Sequence, residues 1–147
     1  MQHCNKTMGT ISHDNNFQPG DIIYVNRQGG LYKHFGVYIG NGNVAHFAPD
    51  NADELNAQTA DVRIATLTAF SSGDNIHIDT IGKPQYAREE IVHRALSKIG
   101  QLQGRYNIIF NNCEHFARWC QTGHSESRQV NNAITCMFDI FKSFKLI

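Results

Sequence analysis

Three side chains in this sequence have the chemistry to act together: Cys113, His34 and His46. A thiolate attacks carbonyl carbon readily, but the thiol needs an imidazole within hydrogen-bond reach to take its proton. It also needs a second polar group to hold that imidazole in orientation. His34 and His46 supply both roles if the fold carries them to Cys113. The spacing of apolar residues predicts a helix starting near Asn112, so Cys113 is expected near its first turn, where the helix dipole and unpaired backbone amides favour thiolate. Each residue also has a plainer reading, Cys113 as a small buried side chain and the histidines as hydrogen-bonded sheet residues. Cys113, His115, Cys120 and His124 make up a mixed zinc-like set, but positions 113 and 115 point roughly 200° apart on a helix and share an ion only with distortion.

The elements that must position these groups follow from local pattern. Pro19-Gly20-Asp21 is turn chemistry, and Ile22 to Val25 is a short β-branched run that reads as a strand, broken by Asn26 to Gly30. Phe35 to Ile39 resumes strand character, Asn41-Gly42 signals a hairpin turn, and Val44 to Phe47 is the return strand. His34 is thus expected just before one strand of a hairpin and His46 on the other, close in space although twelve positions apart. Further strands are predicted over Val62 to Thr68 and Asn75 to Ile81. After Pro84, Ile91, Val92, Ala95, Leu96 and Ile99 recur at helical spacing, with Glu89 and Glu90 early, Lys98 late and Gly100 as the stop. The second helix runs from near Asn112 through Phe116, Trp119 and Cys120 to Gly123. From Asn131, Ile134, Met137, Phe138, Phe141 and Phe144 fall at helical intervals beside Lys142 and Lys145, an amphipathic pattern suited to packing on the domain or lying in a membrane interface.

Composition sets the outer limits. The 147 residues suit one domain, read as a leader over 1–18, a catalytic domain over 19–123 and an amphipathic tail over 124–147. Thirteen basic and thirteen acidic residues leave no net charge to gather nucleic acid, so that partner class is excluded. Eight histidines add groups that titrate near neutrality. The first 17 residues lack the layout of a secretory signal and no segment reaches the ~18 apolar residues of a membrane span, which points to a cytoplasmic, reducing setting. The four cysteines, Cys4, Cys113, Cys120 and Cys136, are accordingly read as thiols.

The stretch Asn111-Asn112-Cys113-Glu114-His115-Phe116, preceded by Tyr106, resembles the cysteine motif of the lecithin:retinol acyltransferase family. Pro19-Gly20-Asp21-Ile22-Ile23, His34-Phe35-Gly36-Val37-Tyr38-Ile39-Gly40 and Val44-Ala45-His46-Phe47-Ala48-Pro49 resemble its opening turn and two-histidine hairpin, with greatest similarity to the H-Ras-like suppressor phospholipase and acyltransferase branch. The resemblance implies an α+β fold, a small antiparallel sheet packed on helices as a circularly permuted relative of papain-like peptidases. It implies Cys113 as nucleophile, His34 as general base and His46 as the group orienting it, with Tyr106 and Asn112 supporting the site or its oxyanion. Glu114 and His115 are expected to fix the helix start and Phe116 to anchor it in the core. The sequence departs from that pattern at Phe35, where tryptophan is usual, at Gly36, where alanine is common, and over Ala48 to Lys83, where residues 51–72 could form a lid. The implied reaction is acyl transfer from a phospholipid donor through a Cys113 thioester, with no metal or organic cofactor required. A papain-like amidase and a partner-binding module remain as alternatives, and peripheral membrane contact through the tail is an expectation.

Overall fold

In the computed structural model, residues 17–49, 60–101 and 109–124 are described, with side chains in the last helix from Cys113 onward. The expected leader, the tail beyond His124, Tyr106, the side chain of Asn112, and positions 51–59 of the expected lid lie outside the described residues. Phe17, at the end of the stretch expected as a leader, is buried and packs its ring 5.7 Å from that of Tyr38.

The fold is α+β, as expected. Five strands, β1 (Ile22–Arg27), β2 (Tyr32–Gly40), β3 (Asn43–Ala48), β4 (Asp61–Thr66) and β5 (His77–Ile78), form an antiparallel sheet in the order β4-β3-β2-β1-β5. Among the described residues the α-helices are α1 (Leu67–Ser71), α2 (Arg88–Ser97) and α3 (Ile109–Thr122). The predicted hairpin is present between β2 and β3, and Asn41 (φ 54°) and Gly42 (φ 75°) both take the left-handed conformation its tight turn requires.

Four local expectations need correction. β1 runs on through Asn26 and Arg27, because β2 begins at Tyr32 and supplies ladder partners for both. His34 is therefore inside β2, opposite Val25, and not before the strand. The strand expected over Val62 to Thr68 stops at Thr66, whose hydroxyl accepts from the Ala69 amide at 3.1 Å and so caps α1, with Leu67 and Phe70 on its buried side. The strand expected over Asn75 to Ile81 shrinks to two exposed residues, since the Asp79 carboxylate accepts from the Gly82 amide and turns the chain.

Both predicted helices form. α2 ends at Ser97, short of the stop expected at Gly100, and in it only Ile91 and Ala95 are buried while Leu96 is exposed, so its apolar contact is one narrow i, i+4 stripe. α3 ends as predicted at Gly123 (φ 83°), whose amide bonds the Trp119 carbonyl. It begins at Ile109, three residues earlier than expected.

The sheet separates two cores. On one face Ile22, Phe35, Val37, Ala45 and Phe47 pack with Val62, Ile91, Ala95 and the α3 residues Cys113, Phe116, Ala117 and Cys120. On the other, Ile23, Val25, Tyr38 and Val44 pack with Phe17 and with Leu67 and Phe70 of α1. This follows from strand alternation, which sends neighbouring side chains of β1, β2 and β3 to opposite faces.

Candidate active site

His34 and His46 meet on the α1 face. Alternation along β2 and β3 puts both on the side of Val25 and Val44, and His34 Nε2 lies 2.8 Å from His46 Nδ1. Phe70 closes over both rings, its centroid 5.2 Å from that of His34 and 5.4 Å from that of His46. Gly36 between them makes room for this lid. A Cβ there would sit 2.5 Å from Val44 Cγ1 and 2.9 Å from Phe70 Cε1, so the glycine at a place where alanine is common goes with the phenylalanine above it.

Arg27 holds α1 down on the pair. Its guanidinium donates to the Phe70 carbonyl at 2.7 Å, the Ser71 carbonyl at 2.9 Å and Asp74 Oδ2 at 2.9 Å. Burial, and secondarily the positive charge of Arg27, lower the His34 pKa to about 3, so the ring is neutral at pH 7. With one proton on the ring, a donor at Nε2 leaves Nδ1 as the basic nitrogen.

Cys113 reaches the same part of β2 from the other face. It is buried on α3, and its Sγ lies 3.7 Å from the Lys33 carbonyl oxygen, one residue before His34. That carbonyl faces a seam in the sheet. Tyr38 exchanges backbone bonds with Gly20 and Asp21 on the β1 side, so alternation turns the carbonyl of Lys33 towards β3. The β2–β3 register runs between Val37 and Gly40 on β2, and below Val37 the imidazole pair bridges the two strands.

The structure therefore brings two of the three expected residues into contact and carries the third to the same seam. His34 hydrogen-bonds to His46 and not to Cys113. The early start of α3 also places Cys113 in its second turn, so the expected supply of unpaired first-turn amides does not apply to it.

Glu114 and His115 likewise do not mark a helix start. Glu114 is fully buried and accepts from Arg118 at 3.4 Å, and Arg118 donates to both carboxylate oxygens of Asp79 at 2.8 and 3.3 Å. These contacts tie the helix bearing Cys113 to the chain just after β5. Hydrogen bonds and charge from Asp79 and Glu114 outweigh burial and raise the Arg118 pKa. His115 is half-buried, which lowers its pKa against the opposing charge of Glu114. Phe116 anchors α3 in the core as expected. Cys120 is buried with its pKa pushed up to about 12, which makes it an unreactive thiol.

Sequence reasoning missed Arg27, Phe70 and Asp79. Glu114 and Arg118 carried a readable signal, an acid–base pair at i, i+4. Nothing local marks Phe70 or Arg27, which matter through contacts 36 and 44 positions away.

A buried imidazole pair on a small antiparallel sheet, approached across one strand by a helix cysteine, defines a thiol–imidazole α+β domain. The chain belongs to the lecithin retinol acyltransferase family, whose model matches residues 15–126. It is 31% identical over 140 residues to rat lecithin retinol acyltransferase, covering 79% of this chain and 59% of that protein. It is 34% identical over 128 residues to human phospholipase A and acyltransferase 2 (79% and 77% covered) and 32% identical over 137 residues to human phospholipase A and acyltransferase 1 (86% and 80%). The chain thus spans less than two thirds of the first of these relatives and more than three quarters of the other two. Among the described residues no helix is long and apolar enough to cross a membrane.

Proposed function

We propose that this protein is an enzyme of thiol-dependent acyl transfer on phospholipids, working as a phospholipase A or an acyltransferase through a Cys113 thioester. The observation that carries this reading is the buried His34–His46 pair at the seam where the Cys113 thiol reaches the Lys33 carbonyl. The names of the relatives supply the acyl-transfer and phospholipase classes.

The reaction asks a definite change of the resting arrangement. The thiol leaves the Lys33 carbonyl and meets His34 Nδ1 through the seam, while His46 accepts from His34 Nε2–H and fixes the tautomer. His34 takes the thiol proton and the sulfur attacks an ester carbonyl. The tetrahedral oxyanion collapses to a thioester, and the lysophospholipid leaves as an alcohol carrying the proton returned by His34. Water, an alcohol or an amine then takes the acyl group, so the acceptor decides between hydrolase and transferase. Tyr106 and Asn112 are the proposed supports of the oxyanion. A base with a pKa near 3 is weak, so in this account binding of substrate opens the Phe70 cover and raises that pKa towards working pH. The tail from Asn131, with its stripe of Ile134, Phe138, Phe141 and Phe144, is the proposed membrane-contacting segment.

Incubation with phosphatidylcholine vesicles tests this reading. Wild-type protein releases lysolipid and fatty acid, or transfers the acyl chain to an added amine, and Cys113→Ala and His34→Ala do neither. Release that survives Cys113→Ala sinks the thioester route. No release from wild type shifts the assignment to an amidase or a binding module.

A further inference from the structure

The opening turn Pro19-Gly20-Asp21 takes no part in the chemistry above, yet it forms one wall of a cavity of about 270 Å³ on the sheet's α3 side, at the β1–β5 edge. We propose that this cavity is a second binding site, for a small uncharged amphiphile that offers a carbonyl or hydroxyl oxygen. It shares none of His34, His46 and Cys113, and the inference does not depend on the reaction proposed for them.

Three observations select that ligand. The first is an unmatched donor. Gln121 lines the cavity and is only 4% exposed, and its Oε1 accepts from Arg118 at 3.1 Å. Its backbone carbonyl accepts from the Gln85 amide at 2.9 Å, but among the described residues its Nε2 amide makes no hydrogen bond. Buried side-chain donors are nearly always paired, so an acceptor belongs in front of this one.

The second is charge. Each acid on the wall is already matched by a base, Asp21 by Arg88 at 2.7 Å and Asp79 by Arg118 at 2.8 Å. An entering ion would meet one such group as a like charge without an unmatched counter-charge to hold it, whereas a neutral dipole disturbs neither pair. The third is shape and polarity. Ile22, Ile78 and Ile91 give the cavity an apolar side, and its volume exceeds the ~30 Å³ share of one water by far while lying just under the ~300 Å³ of the smallest drug-sized sites.

Two glycines let the walls of this space pack closely. A Cβ at Gly20 (φ 97°) would lie 2.9 Å from Arg88 Cα, and one at Gly82 would collide with Gln121 Oε1 and the Arg118 guanidinium. The turn can therefore seat against α2, and the Gly82 loop against α3, only with glycine at these places.

Hexanamide, hexanoate and hexylamine, equal in chain length and different in charge, are titrated into ¹⁵N-labelled protein. The expected result is a saturable shift of the Gln121 side-chain amide and the Gly82 amide with hexanamide alone, with a Kd of about 1–10 mM as befits eight heavy atoms. Gln121→Met removes the donor at similar volume and is expected to weaken binding at least about tenfold. Ile78→Trp fills the cavity from its exposed side without touching the amide, and should abolish the shifts in a protein whose remaining spectrum is unchanged. Shifts that persist in both variants, equal binding of either charged probe, or no shift with hexanamide overturn the proposal, the last leaving the cavity to water.

Discussion

The two faces of the sheet handle polar groups in opposite ways. On the α1 face the imidazoles of His34 and His46 are buried beside an aromatic ring and an arginine, with no carboxylate bonded to His34, and His34 is held neutral. On the α3 face the side chains of Asp79, Arg118 and Glu114 are buried, and the Arg118 guanidinium donates to both carboxylates. The first arrangement keeps a proton acceptor uncharged. The second spends charge on fixing a helix, because buried ions persist only when paired. A reactive pair and a structural network thus sit on either side of β2, and Cys113 is the residue that touches both regions: it adjoins Glu114 in sequence and Lys33 in space.

That contrast breaks most sharply at the chemistry. Cys113→Ala and His34→Ala should each lower acyl release at least about 10³-fold, and the double variant should be no worse than either single, since groups acting as a unit are not additive. Steady-state release from phosphatidylcholine vesicles measures all three. On the other face Arg118→Met leaves Asp79 and Glu114 without their shared partner and should cost about 3–5 kcal/mol, read as a fall in urea midpoint. A double substitution, Asp79→Asn with Arg118→Met, should recover part of that loss.

The Phe70 cover separates stability from chemistry more finely. Phe70→Ala should cost about 3–5 kcal/mol through the void it leaves, and should move the His34 pKa up from about 3 towards 6.5 as water reaches the ring. A ¹H–¹⁵N titration of the imidazoles reads the second effect directly. Gly36→Ala pushes a methyl group against Val44 and Phe70 and should cost about 1–3 kcal/mol.

Acid stability gives a signed test of the same ring. An unfolded histidine takes a proton below about pH 6.5, while His34 in the fold refuses it until about pH 3. The unfolded state binds more protons across that window, so stability falls as pH falls, by at most about 1.4 kcal/mol per pH unit from this group. His34→Gln should flatten the slope between pH 6 and 4 in denaturant titrations. The smallest effect is expected at Thr66→Ala, about 1 kcal/mol for loss of the α1 cap.

Much of this arrangement was legible in local pattern. Asn41-Gly42 set the hairpin turn, β-branched runs set β1 to β3, and their register was enough to foresee that His34 and His46 meet. Patterns resting on long-range partners were not legible. β1 looked broken at Asn26 because the ladder that extends it comes from residues after Gly30. Thr66 to Thr68 looked like strand because β-branched residues also cap helices, and α3 begins at Ile109, ahead of the Asn112 that the motif suggests. The face on which each imidazole lies followed from alternation, but only the register and the position of α1 and α3 show that Cys113 approaches from the opposite face. Arg27 and Phe70 became visible only through contacts across more than thirty positions.

The central claim is that the sulfur of Cys113 carries the acyl group, with the neutral His34 as its base. Intact-protein mass spectrometry after brief mixing with phosphatidylcholine vesicles tests it most directly. The account predicts a mass increase of one acyl chain on wild-type protein, removed by hydroxylamine and absent from Cys113→Ala and His34→Ala. An adduct that forms equally on Cys113→Ala, or lipid turnover that proceeds with no hydroxylamine-sensitive adduct, would contradict it.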